Sequence, residues 1–202
     1  MSANSKVEYF NRIAPQWDGL PCPDDAPEKV RRFIGRAVRP EHRAVLDVGC
    51  GTGILIGALL DARSGVEEVV ELDLAVEMLR ENRRKHADSR IYRVCADAQR
   101  LPFRESRFDL ALCFGVLPHL GEVGAALAPL IGALRPGGTL AIGHAMNSDA
   151  LNALHASLGG AVGDDRLPPA AALAAELRQL GASVLSEEES PGWYFVEAER
   201  TA

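Results

Sequence analysis

The segment Val45-Leu46-Asp47-Val48-Gly49-Cys50-Gly51-Thr52-Gly53 constrains the fold more than any other part of the chain. A short apolar run ends in alternating glycines, and helical spacing begins at about Ile54. Glycines permit a tight turn and let backbone approach a ligand closely. The helix that follows offers free N–H groups and a partial positive charge. Strand, glycine loop and helix in that order form the opening unit of a doubly wound α/β sheet.

The rhythm continues downstream. Val66 to Asp73, Ile91 to Ala96, Phe108 to Phe114 and Thr139 to His144 read as strands. Helical spacing separates them over Ile54 to Ala62, Ala75 to His86 and Val123 to Leu134, the last closed by Arg135-Pro136-Gly137-Gly138. Strands alternating with helices imply parallel pairing with right-handed crossovers. Asp149 to Leu158 and Ala170 to Leu180 look helical, and Ala182 to Glu188 and Trp193 to Glu199 are strands joined by a short turn. So short a connection requires an antiparallel pair. The fold class expected is therefore α/β, with a doubly wound, mainly parallel seven-stranded sheet and one antiparallel strand near an edge. Upstream, Val7 to Ile13 is a short helix limited by Pro15, and Glu28 to Val38 carries apolar residues at helical spacing. A single domain over 1–202 is expected: a helical cap (1–43), a ligand-binding core (44–145), and further helices with a terminal strand pair (146–202).

Composition narrows the partners. With 22 Lys and Arg against 28 Asp and Glu, the net charge is −6. Nucleic-acid binders carry basic patches for phosphates. Here Arg31-Arg32 and Arg83-Arg84-Lys85 fall on helices, where a solvated face explains them. No apolar run is long enough to span a membrane, and the N-terminus has no signal-peptide pattern. Of four cysteines, Cys50, Cys95 and Cys113 sit in apolar strands or beside the glycine turn, and Cys22 lies in Pro21-Cys22-Pro23. Buried free thiols fit a reducing compartment. The expectation is a cytoplasmic monomer or homodimer acting on a small molecule, with neither nucleic acid nor membrane as partner.

The glycine loop is not the dinucleotide fingerprint G-x-G-x-x-G: the third glycine would fall at Ile54 or Ile56. The loop is G-x-G-x-G, preceded by Asp47. A ligand with an ammonium group explains that acid better than a pyrophosphate does. A second acid, Asp73, ends the next strand, where a carboxylate can accept both hydroxyls of a ribose. Glu71, two residues earlier, is its rival. A third acid, Asp97, ends the strand after that and can accept from an adenine amino group. Each alone reads as a helix cap or loop residue; in this order they suit amino acid, ribose and base.

The segments VLDVGCGTG (45–53), VVELDLAVEML (69–79), VCADAQRLPF (94–103), FDLALCFGVLPHL (108–120) and LRPGGTLAIGH (134–144) resemble the class I S-adenosylmethionine-dependent methyltransferases, of the type 11 domain that methylates small molecules. EYFNRIAPQWD (8–18) is similar to the start of quinone-type C-methyltransferases, where it forms a mobile cap. The resemblance implies S-adenosylmethionine as cofactor and S-adenosylhomocysteine as product. It places Asp47, Gly49, Cys50, Gly51 and Gly53 at the methionine end, Asp73 on the ribose, and Asp97 with Ala98 at the adenine. It adds Leu74, Met78, Phe114 and Gly115 around the cofactor, with Tyr9 and Trp17 in the cap. Pro118 departs from the His that many relatives carry there.

Methyl transfer is a displacement at a sulfonium, so alignment and exclusion of water are the main tasks. A base is needed only where the acceptor must lose a proton. His119, after the fourth strand, is either that base or a loop histidine bonded to backbone. His144, ending the fifth strand, is the second catalytic candidate, and His155 on the next helix converges with both. Three histidines can ligate a metal, but His144 and His155 lack standard ligand spacing, so no metal is assigned. Asp109 starts its strand and belongs at the end away from the site. Two alternatives stay open: cofactor binding without catalysis, as a sensor or partner subunit, and non-methylating use of the same cofactor.

Overall fold

In the computed structural model, residues 3–21, 24–61 and 65–201 are described. Cys22 lies outside them. Helix α1 (Ala3–Ile13) runs into a 3-10 turn (Ala14–Gly19), and α2 (Ala26–Ala37) follows. Pro27 in the first turn of α2 suits a position with no N–H to satisfy. Its buried residues Val30, Phe33, Ile34 and Ala37 recur at the helical period. Then come β1 (Ala44–Val48), α3 (Ile56–Asp61), β2 (Glu68–Asp73), α4 (Val76–Lys85), β3 (Ile91–Cys95), β4 (Phe108–Phe114), α5 (Val123–Ala133) and β5 (Leu134–His144). The chain ends with α6 (Ser148–Leu158), α7 (Ala170–Gln179), β6 (Ala182–Ser190) and β7 (Trp193–Arg200).

The seven strands form one sheet in the order β3-β2-β1-β4-β5-β7-β6. The pairs among β1 to β5 are parallel, and β7 is antiparallel to both β5 and β6. The expected doubly wound sheet with one antiparallel strand near an edge is therefore the observed fold. Every residue of β1 is buried because helices cover both faces. Val45, Val69, Leu110 and Leu112 pack toward α2 and α3; Leu46, Val48, Val70 and Ala111 pack toward α5 and α7. Chain direction along the sheet reverses between β1 and β4, and ligands of such sheets sit beyond the strand ends at that point.

Two expectations need correction. Leu134 to Gly138 belongs to β5 rather than to the end of the preceding helix: Leu134 pairs with Phe108, and the register shifts before Thr139 joins Leu110. The waiting edge of β4 outweighs the turn chemistry of Pro136-Gly137-Gly138. Cys95 is exposed, unlike buried Cys50 and Cys113, because β3 is an edge strand.

Two carboxylates hold the frame. At the bottom of the sheet, Asp109 Oδ2 accepts from the backbone N–H groups of Arg43 and Ala44 at 2.9 and 2.8 Å, and Oδ1 meets Arg135. On β6, Glu189 accepts from Ser148 N at 2.7 Å and from Ala170 N at 2.8 Å, so one side chain caps α6 and α7 together. A negative charge at two helix N-termini is doubly favoured. Among the described residues, no helix is long and apolar enough to cross a membrane.

Candidate active site

A cleft of about 240 Å³ opens over the C-terminal ends of β1, β2, β3 and β4. Gly49 and Gly51 form one wall and Asp73, Leu74 and Met78 the next. Asp97, Ala98 and Gln99 follow, then Gly115, Val116 and His119. Lys6, Val7 and Phe10 of α1, with Trp17 of the 3-10 turn, form the roof.

The glycine loop takes its shape from left-handed backbone. Gly49 has φ +63°, and a Cβ there would lie 2.0 Å from Cγ2 of Val116. Gly51 has φ +53°, yet a Cβ there would meet no atom within 4 Å, because it would point into open space at the cleft. The first glycine is required by packing, and the second keeps room for a ligand. Asp73 is fixed from both sides: Oδ2 accepts from Gly51 N at 2.9 Å and Oδ1 from Ala75 N at 2.8 Å. Burial pushes its carboxyl up against these stabilising bonds. Each oxygen retains a lone pair for a hydroxyl. Asp97 accepts from Gln99 N at 2.9 Å, and Gln99 donates to Leu120 O, tying the third and fourth strand ends together.

Not every sequence-assigned residue reaches the cleft. Asp47, Cys50, Gly53, Phe114 and Tyr9 are not among its lining residues. Phe114 packs on Phe33 with ring centroids 4.9 Å apart, and Tyr9 meets Phe10 edge-on at 5.3 Å. Gly53 lies against Asn82, His86 and Ile56. Cys50 Sγ lies 3.9 Å from Asn82 Nδ2. Asp47 is the register partner of Glu71, which in turn pairs with Arg93. Glu71 is thereby placed below the cleft, while Asp73 stands at its wall.

This buried ladder is electrostatically costly. Asp47 is 2% exposed and Glu71 0%, and among the described residues one oxygen of each has no hydrogen-bond partner. Asn82 Nδ2 donates to Glu71 Oε2 at 2.8 Å, and Arg93 Nε to Asn82 Oδ1 at 2.6 Å. Burial pushes both carboxyls up; the Glu71 charge raises Asp47 further, while hydrogen bonds from Asn82 and Asp47 partly hold Glu71 back. Folded pKa values raised above the unfolded ones give stability that is full at acid pH and is lost as pH rises through them. Glu71→Gln keeps the bond from Asn82 and gives Asp47 a donor. We expect it to stabilise the protein by about 1–3 kcal/mol at pH 8, a rise in Tm of several degrees that shrinks toward pH 5. A Tm at pH 8 equal to or below that of the wild type contradicts this account.

The histidines do converge, with unequal surroundings. His119, in the 3-10 turn after β4, lines the cleft, and its Nδ1 lies 2.7 Å from Asp165 Oδ2. Although burial opposes it, hydrogen bonds from His119 and Lys6 hold the Asp165 carboxyl below its ordinary value. A carboxylate only accepts, so Nδ1 carries the proton in this bond, and the neutral tautomer it selects has its lone pair on Nε2. His155 lies behind, its ring centroid 5.1 Å from that of His119 and its Nδ1 donating to Asp165 O at 3.2 Å. His144 is removed from the cleft: its Nδ1 accepts from Met146 N at 3.2 Å, and burial drives its pKa down to about 4. It stands outside the cleft lining as a half-buried imidazole held toward its neutral form. Among the described residues, no three His, Cys, Asp or Glu side chains group as a metal site requires. Asp165 and Lys6 were missed from sequence. Lys6 stands one helical turn before Phe10, a spacing that could have marked a shared face. Asp165, in an irregular loop, carries no such mark.

Comparison with known proteins matches this picture. A family model described as a methyltransferase domain fits residues 46–142. The chain is 31% identical over 143 residues to the ubiquinone biosynthesis O-methyltransferase of Xanthomonas axonopodis pv. citri (strain 306), covering 67% of this chain and 59% of the relative. It is 38% identical over 98 residues to the malonyl-[acyl-carrier protein] O-methyltransferase of Pseudescherichia vulneris, covering 48% of this chain and 37% of the relative. It therefore spans only part of the length of these curated relatives. Among solved structures, the methyltransferase in complex with the Haloferax volcanii Trm112 methyltransferase activator superposes with a TM-score of 0.84 at 16% identity, covering 96% of this chain and 98% of that one. With the sheet order, the glycine loop and the acids at successive strand ends, these likenesses show that the chain belongs to the class I S-adenosylmethionine-dependent methyltransferases, whose cofactor leaves as S-adenosylhomocysteine.

Proposed function

We propose that this protein transfers a methyl group from S-adenosylmethionine to a small-molecule acceptor that loses a proton from oxygen or nitrogen in the reaction. One observation carries the reading: an imidazole held at Nδ1 by the Asp165 carboxylate stands at the wall of a roofed cleft that suits the cofactor. The fit is physical. Gly51 leaves open space where a side chain would intrude, Asp73 offers two anchored oxygens to a diol, and Asp97 with Leu74 and Ala98 offers an acceptor beside apolar walls for a base. Bound S-adenosylmethionine supplies an electrophilic methyl group. His119 takes the acceptor's proton at Nε2, and Asp165 stabilises the imidazolium that forms. Phe10, Trp17 and Val7 exclude water from above. That roof leaves room for a small, partly apolar acceptor rather than a duplex, and the relatives named as O-methyltransferases favour oxygen. The free thiols of Cys50, Cys95 and Cys113 accord with a cytoplasmic protein, as a monomer or homodimer.

Calorimetry should show S-adenosylhomocysteine binding in the micromolar range and no binding of NAD. A screen of phenols, carboxylic acids and amines, read by S-adenosylhomocysteine release, should find turnover. Tight NAD binding, or cofactor binding with no release against any acceptor class, would overturn the proposal.

A further inference from the structure

The carboxylate of Asp165 serves two claimants from distant parts of the chain. The residue is 6% exposed. Its Oδ2 lies 2.7 Å from Nδ1 of His119, and its Oδ1 forms an ion pair with Nζ of Lys6 on α1. The His119 imidazole is held edge-on by Phe10, with ring centroids 5.1 Å apart, and backed by His155 at the same distance. Resting on the reading of His119 as the base, we propose that Asp165 and Lys6 are positioning residues for it. Asp165 fixes the tautomer that presents Nε2, and Lys6, carried in by α1, offsets the carboxylate's charge beside the imidazole.

The argument is one of local charge. A buried carboxylate alone beside a histidine favours the imidazolium, which is useless as a base. An ammonium on the far oxygen counters that pull with a like charge. The other groups facing His119 change little. His144, at the end of β5, and His155, on α6, are both held toward their neutral forms by burial. Arg166, beside His155, spends its guanidinium on the carbonyls of Gly163 and Asp165. Asp73, across the cleft on β2, is anchored by Gly51 and Ala75 and stays in place in every variant below. Asp165 and Lys6 therefore set the balance. Since Lys6 lies on the helix that roofs the cleft, the base is complete only with α1 in place, and water exclusion and base readiness depend on one element.

The test needs no acceptor. In the full chain with isotopically labelled histidines, NMR follows each imidazole through a pH titration, with His119→Gln identifying the His119 signal. Lys6→Met should raise the His119 midpoint by about half a unit or more, and Lys6→Arg should restore it. Asp165→Asn should lower it by about one unit and erode the Nδ1-protonated tautomer. A midpoint that Lys6→Met leaves unmoved or lowers overturns the role of Lys6, and one indifferent to Asp165→Asn overturns that of Asp165. A merely structural ion pair would lower Tm without shifting either midpoint. If His119→Gln retained full turnover, the base reading would fall while these titrations stood, so the two failures are told apart.

Discussion

Gly51→Val is expected to abolish cofactor binding while the protein still folds. A Cβ at this position meets no protein atom within 4 Å, so the added bulk enters the cleft rather than the core. The φ of +53° costs an L-residue about 1–2 kcal/mol of stability. The loss in affinity should be larger, more than about 100-fold in Kd by calorimetry with S-adenosylhomocysteine, because backbone that must approach the ligand is held away. Gly49→Ala should behave in the opposite sense, since its Cβ would stand 2.0 Å from Val116 and strike the fold first. The two glycines thus separate the loop's structural and ligand-facing duties. A Gly51→Val protein that binds with wild-type affinity would show that the ligand does not cross this loop.

The contrast illustrates what was legible in the sequence. Apolar runs such as Val45 to Val48, each followed by helical spacing, encode a buried parallel strand locally, and the short turn at Pro191-Gly192 encodes the final antiparallel pair. Asp73 and Asp97 were legible for the same reason: each ends a strand, and strand ends converge in this topology. The pairing of Asp47 with Glu71 was not legible, because register is a property of two strands rather than one. His144 looked equivalent to His119 along the chain, but burial and the contact with Met146 N set it apart. Lys6 and Asp165 come from opposite ends of the sequence and meet only in the folded protein, so no local pattern announces their pairing.

His119→Ala should lower turnover by roughly 10²–10⁴-fold against any acceptor found in the screen, with affinity for S-adenosylhomocysteine nearly unchanged. The split follows from placement. His119 contributes a ring to the cleft wall, whereas the groups proposed to meet the cofactor, Gly51, Asp73 and Asp97, line its other walls. Steady-state kinetics with both substrates varied would read kcat and KM apart. A loss confined to the acceptor's KM would make His119 an orienting group, and turnover within about tenfold of wild type would exclude it as the base.

Glu189 has a consequence for how such a protein can change. By capping Ser148 and Ala170 with its two oxygens, it brings the ends of a long excursion to one point on the sheet. The excursion carries His155 and Asp165, while the strands and glycine loop lie outside it. The entropy of closing a loop grows only slowly with length, about 0.6 kcal/mol per doubling. Residues can therefore be gained, lost or exchanged between these two anchor points while the sheet keeps its order. Glu189 works as a clasp: the segment between its two contacts is free to vary in length while the strands and the glycine loop keep their places.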